Sequence, residues 1–368
     1  MTAATPLPPF RADHVGSLLR PPALADARAR CKNGELDPGA YREIEQQAIR
    51  EAVSRQEAIG LQSITDGEFG RDYWHLDFLS QLDGVKLNEN PGLKFGSTGE
   101  QPPICAVTGK VRYARPIMIE DFRFLAGIAK GMPKFTIPSP SMLHMRGGRA
   151  GIAREAYPDL EAFWTDAVLA YRAAIAAFAA AGCSYLQLDD VAFSYLCDPR
   201  FREGCRKNGD DPDTLPCTYA DTINRALEGR PPGMTITMHT CRGNFKSAWV
   251  AEGGYDPVAE VMFATNVDAF FMEFDSARAG GFGPLRMLPR GKKVVLGLVT
   301  TKVGTLEGKD AIKRRIDEAA KIVPIEQLYL SPQCGFSSTH HGNALSHEDQ
   351  WRKLELVVDV ARDIWGKD

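Results

Sequence analysis

Apolar and β-branched residues gather in eight short runs along this chain, separated by stretches whose apolar positions recur at helical spacing. The runs are 13–17 (DHVGS), 62–69 (QSITDGEF), 134–141 (KFTIPSPS), 184–190 (SYLQLDD), 234–241 (MTITMHTC), 268–275 (DAFFMEFD), 292–302 (KKVVLGLVTTK) and 326–334 (EQLYLSPQC). Helices are expected over 40–60, 159–182, 217–229, 255–265, 307–323 and 347–365. The last carries a start signal, with Ser346 as cap and Asp349 three residues on. Strands alternating with helices are the pattern of parallel strands joined by crossover helices. Eight such units predict an α/β fold, a (β/α)8 TIM barrel, with a doubly wound open sheet as the competing architecture. The whole chain, 1–368, is expected to form this single barrel. Residues 73–133 break the alternation and read as an insertion between strands two and three, containing a hairpin that turns at Gly109-Lys110. Residues 197–217 read as loop throughout.

Composition narrows the function classes. With 44% hydrophobic and 25% charged residues the chain is ordinary globular material. The net charge of −3, with Lys and Arg spread rather than clustered, gives no electrostatic reason to expect nucleic acid. The N-terminal MTAATPLPPFRAD lacks a basic region followed by an apolar stretch, so no signal peptide is expected. The longest apolar tract, 167–183, is short and carries Arg172, so no membrane span is expected. A cytoplasmic location follows, in which the eight cysteines are free thiols or metal ligands.

A barrel builds its active site at the C-terminal ends of its strands. The polar residues there are His14, Ser17, Asp66, Glu68, Asp189, Asp190, His239, Cys241, Glu273, Thr300, Thr301, Lys302 and Cys334. His239 and Cys241 stand two apart, so in a strand their side chains share a face. Together with Glu273 and Cys334 they offer one imidazole, two thiolates and a carboxylate, a set that suits Zn2+, with iron or cobalt left open. These ligands are spread from residue 239 to residue 334, unlike the close Cys pairs of a structural zinc, which favours a catalytic metal. Glu273 would be the weaker ligand, displaced by an incoming thiol that loses its proton on binding. The chemistry implied is alkylation of sulfur. Cys197, Cys205 and Cys217 match no tight zinc motif, and AGGFGP at 279–284 lacks the context of a phosphate cradle. His340 and His341 either line the mouth of the site or are solvated.

The stretches HVGSLLRP, TDGEFGRD, LQLDD, HTCRGNF, FMEFDSAR and SPQCGF, in this order over residues 14–338, resemble the catalytic half of cobalamin-independent methionine synthase and its shorter relatives. The resemblance implies a zinc enzyme on a (β/α)8 barrel with His239, Cys241, Glu273 and Cys334 as ligands. It further implies that Ser17 contacts the carboxylate of an amino-acid thiol and that Glu68 and Asp189 hold its ammonium group. His14, from the same stretch as Ser17, is grouped with these substrate-binding residues. Lys302 stands where the family places a histidine proposed as proton donor, and is the candidate catalytic residue. The family's DEP is DDV at 189–191, and its pterin-packing tryptophan is not evident in 138–146. The sequence also leaves no room for the family's second barrel, so the departures gather on the donor side.

The implied activity is methyl transfer to a small thiol, homocysteine giving methionine, as in methionine biosynthesis. The donor is left open between a folate, a methylcorrinoid, with a corrinoid protein as partner, and another methyl donor. The alternatives are addition of a thiol such as coenzyme M to an epoxide, as in a short relative, and a non-enzymatic zinc-stabilised structural or storage protein.

Overall fold

The computed structural model describes residues 8–88 and 103–366. Seven parallel strands form one sheet in the order β1 (Ser63–Ile64), β4 (Met132–Pro138), β5 (Tyr185–Asp190), β6 (Thr235–Thr240), β7 (Ala269–Glu273), β8 (Lys293–Val299) and β9 (Leu328–Pro332). Among the described residues two further strands, β2 (Asp83–Asn88) and β3 (Ile104–Arg112), pair antiparallel with each other outside that sheet. The main strands are buried on both faces, but only the helix-facing positions are mostly apolar; the other face carries Lys134, Thr136, Gln187, Asp189, Thr237 and His239 among its residues. Leu186, Leu188, Ile236, Met238, Phe270 and Met272 pack into the large core shared with the helices. Val15, Phe271, Val295 and Tyr329 form a separate small cluster on the sheet's other face. The sheet is a curled, half-barrel arrangement of the TIM-barrel-like kind.

The helices are held by ordinary end chemistry. Asp37 accepts hydrogen bonds from the Gly39 and Ala40 amides to start Pro38–Ile59, and Gly60 ends it at φ 94°. Ser346 and Asp349 form the reciprocal capping box of His347–Trp365. The helix Leu160–Ala180 is long and apolar enough to cross a membrane, yet half of that window is buried inside the fold. It packs Phe163, Trp164, Tyr171 and Phe178 inward, as the core helix of a folded domain does.

Several boundaries differ from those the sequence predicts. Residues 13–17 form no strand; a single parallel bridge, Ala12 to Leu330, sets this segment beside β9. The run at 62–69 yields only Ser63–Ile64 as strand, because Thr65 to Arg71 turn through Gly67 and Glu68, both at positive φ. No turn occurs at Gly109-Lys110: β3 runs through both residues and pairs with 83–88, while residues 89–102 of the expected insertion lie outside the described residues. The 197–217 segment is not loop throughout. Asp198 accepts the Arg200 amide and Pro199 occupies the first turn, which starts a helix over Pro199–Lys207.

Beneath the strand ends lies a buried polar network. Lys134 Nζ is 3.1 Å from Asp13 Oδ1 and donates to the His14 carbonyl at 2.6 Å. Asp13 also accepts from Ser63 Oγ at 2.7 Å and Tyr185 OH at 2.8 Å. Each buried charge therefore has partners, as desolvated ions need.

Candidate metal centre

β5 and β6 pair in register, with Asp189 opposite His239. The ladder continues one residue further through the Cys241 amide to the Asp190 carbonyl at 3.0 Å, which keeps Cys241 on the face of His239. Cys334 follows the end of β9, where the Gln333 amide bonds the Val299 carbonyl at 2.8 Å. The ligand atoms of His239, Cys241 and Cys334 all lie within 4.8 Å of one another, and all three residues are buried.

The two sulfurs are 3.4 Å apart, too far for a disulfide. The hydrogen bond between them holds the Cys334 thiol well below its ordinary range, with His239 assisting against burial. The same bond, with burial, pushes Cys241 well above its range. Asp189 Oδ1 is 3.3 Å from His239 Nδ1, and Nε2 has no partner. A carboxylate on one ring nitrogen sets the tautomer that leaves the other with a lone pair. One imidazole nitrogen and two sulfurs at these separations fit a single tetrahedral ion with bonds of about 2.0 Å to nitrogen and 2.3 Å to sulfur.

Glu273, expected as the fourth ligand, stands outside this group. Its Oε2 accepts from the Arg242 amide at 3.1 Å, and its Oε1 accepts from Gln333 Nε2 at 3.2 Å. Lys302, Arg242 and Arg278 hold it below the usual carboxylate range against the effect of burial.

The cluster lines a cavity together with Ser17, Glu68 and Asp189. Gly335 is required there, since a Cβ would come within 1.9 Å of Ser17 Oγ. Glu68 sits at φ 58°, a left-handed conformation that costs a residue with a side chain about 1 kcal/mol or more. Its Oε1 accepts from Thr136 Oγ1 at 2.9 Å, whereas Oε2 is buried without a hydrogen bond and lies 3.9 Å from Arg71. Burial, with Asp189 and Asp66 nearby, raises Glu68 to about 7 despite Arg71.

Residues 10–363 match the family described as the catalytic domain of cobalamin-independent synthase. The chain belongs to that family. It is 48% identical over 361 residues to an uncharacterized protein of Bacillus subtilis, YxjH, covering 97% of this chain and 95% of that one. The 5-methyltetrahydropteroyltriglutamate–homocysteine methyltransferase of Shewanella oneidensis is 23% identical over 360 residues, which are 97% of this chain but 43% of that enzyme. A Listeria monocytogenes structure, provisionally assigned as a vitamin-B12-independent methionine synthase, shares 42% identity with a TM-score of 0.79, covering 98% of this chain and all of that one. A B12-independent methionine synthase from Shewanella sp. W3-18-1 aligns at TM-score 0.72 and 20% identity over 96% of this chain and 97% of its own, and so speaks for the fold.

In this cobalamin-independent synthase domain the remaining expected residues fall differently. His14 is not in the cavity wall; its imidazole is turned toward the Ser63 backbone and Gln56, and burial lowers it to about 4. Lys302 is buried, not exposed, and donates from Nζ to the Gly243 carbonyl at 3.2 Å and Asn244 Oδ1 at 3.4 Å. Asp190 is occupied by the Ser139 and Ser141 hydroxyls and the Phe193 amide. Cys197, Cys205 and Cys217 join no candidate metal group among the described residues. The cavity wall also contains Trp74, His75, Arg146, Asn244 and Ser338, which local pattern did not single out. The run YWH at 73–75, aromatic residues just after a strand-end carboxylate, was the available signal for two of them.

Proposed function

We propose that this chain is a zinc-dependent enzyme that transfers a methyl group to a small thiol, homocysteine being the acceptor its site suits best. The reading rests on one observation: the His239, Cys241 and Cys334 ligand atoms converge on the same cavity as the unsatisfied Glu68 Oε2. The three residues would hold the ion, with Glu273 as a fourth donor able to fall back on Arg242 and Gln333. Bound zinc would supply Lewis acidity that keeps a thiol deprotonated at neutral pH.

The chain's own residues do the rest. Asp189 orients His239. Glu68 Oε2 gives a substrate ammonium group a buried anionic acceptor, and Ser17 lies on the same wall for the carboxylate. That arrangement favours an ammonium-bearing thiol over coenzyme M. Anchoring the amino-acid end fixes where sulfur sits, so that the sulfur–carbon bond forms as the donor–carbon bond breaks in line with it. Residues 11–14, bridged to β9 and bonded through Asp13 to Ser63, are read as the eighth stave that closes the barrel.

The test combines metal analysis of the purified chain with mass-spectrometric detection of methionine from homocysteine. Methyltetrahydrofolate, its polyglutamate, methylcobalamin and a simple methyl donor would be supplied separately. Zinc near one equivalent with methionine from any of these supports the reading, and metal-free protein of full activity would overturn it. Nothing in the comparisons speaks for a corrinoid protein as partner.

A further inference from the structure

The cavity wall holds a second polar feature that thiol activation leaves unused. His75 precedes the short helix Leu76–Leu79 and lines the cavity with 3% of its surface exposed. Neither of its ring nitrogens has a hydrogen-bond partner. Buried polar groups are nearly always matched, so one left unmatched in a cavity calls for a water, an ion or a ligand atom as its partner. The Trp74 indole lies against the imidazole, with ring centroids 4.5 Å apart and planes at 35°, which limits its rotation.

Arg146 lies on the same wall, its Nε and Nη1 shielded from solvent. Burial, and then the Arg146 charge, hold His75 well below its ordinary range, so the ring is neutral and offers one N–H and one lone pair. The carboxylates on the wall are Glu68, Asp189 and Asp190, the last already satisfied by Ser139 and Ser141. The cavity is thus polarised, with acceptors for a cation at Glu68 and Asp189 and donors at Arg146 and His75.

We infer that Arg146 and His75 form an anion-binding subsite of this cavity, which takes a carboxylate or comparable oxyanion of a substrate. The guanidinium supplies charge-assisted hydrogen bonds and His75 adds a neutral N–H. The oxyanion has two sources: the carboxylate of the amino-acid thiol, or an acidic group on the alkyl donor. The assignment to one of these substrates rests on the thiol-alkylation reading, whereas the subsite itself does not.

The experiment uses the full chain loaded with zinc, as wild type, Arg146→Met, Arg146→Lys, His75→Ala and His75→Gln. Inorganic sulfate, titrated against chloride at constant ionic strength, is expected to raise the melting temperature of the wild type and not of Arg146→Met or His75→Ala. Calorimetry then compares methionine with methioninamide, and S-(3-carboxypropyl)homocysteine with S-butylhomocysteine. If the acceptor's carboxylate occupies the subsite, Arg146→Met weakens methionine by about tenfold or more and leaves methioninamide unchanged. If the donor's acid occupies it, methionine binding is unchanged and the preference for carboxypropyl over butyl disappears. Arg146→Lys and His75→Gln, which keep charge or donor, should retain part of each effect and show that the losses are not misfolding. Sulfate stabilisation that needs Arg146, with no wild-type binding of the four amino-acid probes, would sink the thiol reading and leave the subsite standing. Wild-type responses to sulfate and all four probes in both Arg146→Met and His75→Ala would overturn the subsite.

Discussion

Asp189 Oδ1 lies 3.3 Å from His239 Nδ1, and the same oxygen accepts from Gln187 Nε2 at 2.7 Å. The contact follows from register: the two residues are opposite one another on adjacent parallel strands, with side chains on one face. A carboxylate behind a ligand histidine fixes its ring and raises its basicity, and losing such a partner commonly costs 10- to 100-fold in metal affinity. Asp189→Ala is expected to weaken zinc by about that factor in a chelator competition. Unchanged affinity would show that His239 is oriented by other means.

The cysteine pair separates a catalytic centre from a structural one. Cys241 and Cys334 border the large core where it meets the cavity at the strand ends, and a serine there changes one atom of each side chain without opening a void. Cys241→Ser or Cys334→Ser should therefore bring zinc below stoichiometric while the melting temperature moves by a few degrees at most. Unfolding that tracks metal loss would instead identify zinc as a scaffold element, as in small domains folded by their metal.

How much of this was legible in the sequence depended on how local each relation is. His239 and Cys241 could be placed together because strand geometry repeats every two residues, and Cys334 because it follows another strand end. Ser346 and Asp349 form their capping box through neighbouring atoms, and it is present as expected. Glu273 was correctly set at a strand end, but its engagement by Arg242 and Gln333 depends on contacts across three strands, which no local pattern encodes. The missed helix at Pro199–Lys207 had a readable start in Asp198-Pro199, obscured by the glycine, asparagine and aspartates that follow it. His75 and Arg146 come from distant loops and acquire meaning only when folding brings them to one wall.

Lys302 Nζ is tied into the loops that carry the two sulfurs. Its ammonium bonds Gly243 and Asn244 in the loop after Cys241, while Asn244 Nδ2 donates to the Gly335 carbonyl at 2.9 Å and Ser338 Oγ at 3.1 Å in the loop after Cys334. Lys302 and Asn244 thus join the two loops that carry the sulfurs. Lys302→Met leaves a buried carbonyl and amide oxygen without their donor, a loss of about 1–3 kcal/mol. The cobalt-substituted variant should show an altered absorption spectrum and weaker metal retention, partly restored by Lys302→Arg. A lower melting temperature with an unchanged spectrum would mean that the lysine merely stabilises the fold.

Glu68 makes the pH dependence predictable in sign. Burial raises this carboxyl to about 7 from an ordinary value of 4.5, so the folded chain holds its proton more tightly than the unfolded chain does. Its contribution to stability is therefore present below 4.5 and is lost as pH rises through about 7. Glu68→Gln removes that loss, and the gap in melting temperature between variant and wild type should shift in favour of the variant from pH 5 to pH 8. Ligand binding runs the other way. An ammonium group prefers the ionised carboxylate, so methionine affinity of the wild type should increase as pH rises through about 7, and Glu68→Gln should bind weakly with a flat profile over the same range. Calorimetric titration at several pH values checks both, and a wild-type profile as flat as the variant's would remove Glu68 from the ammonium site.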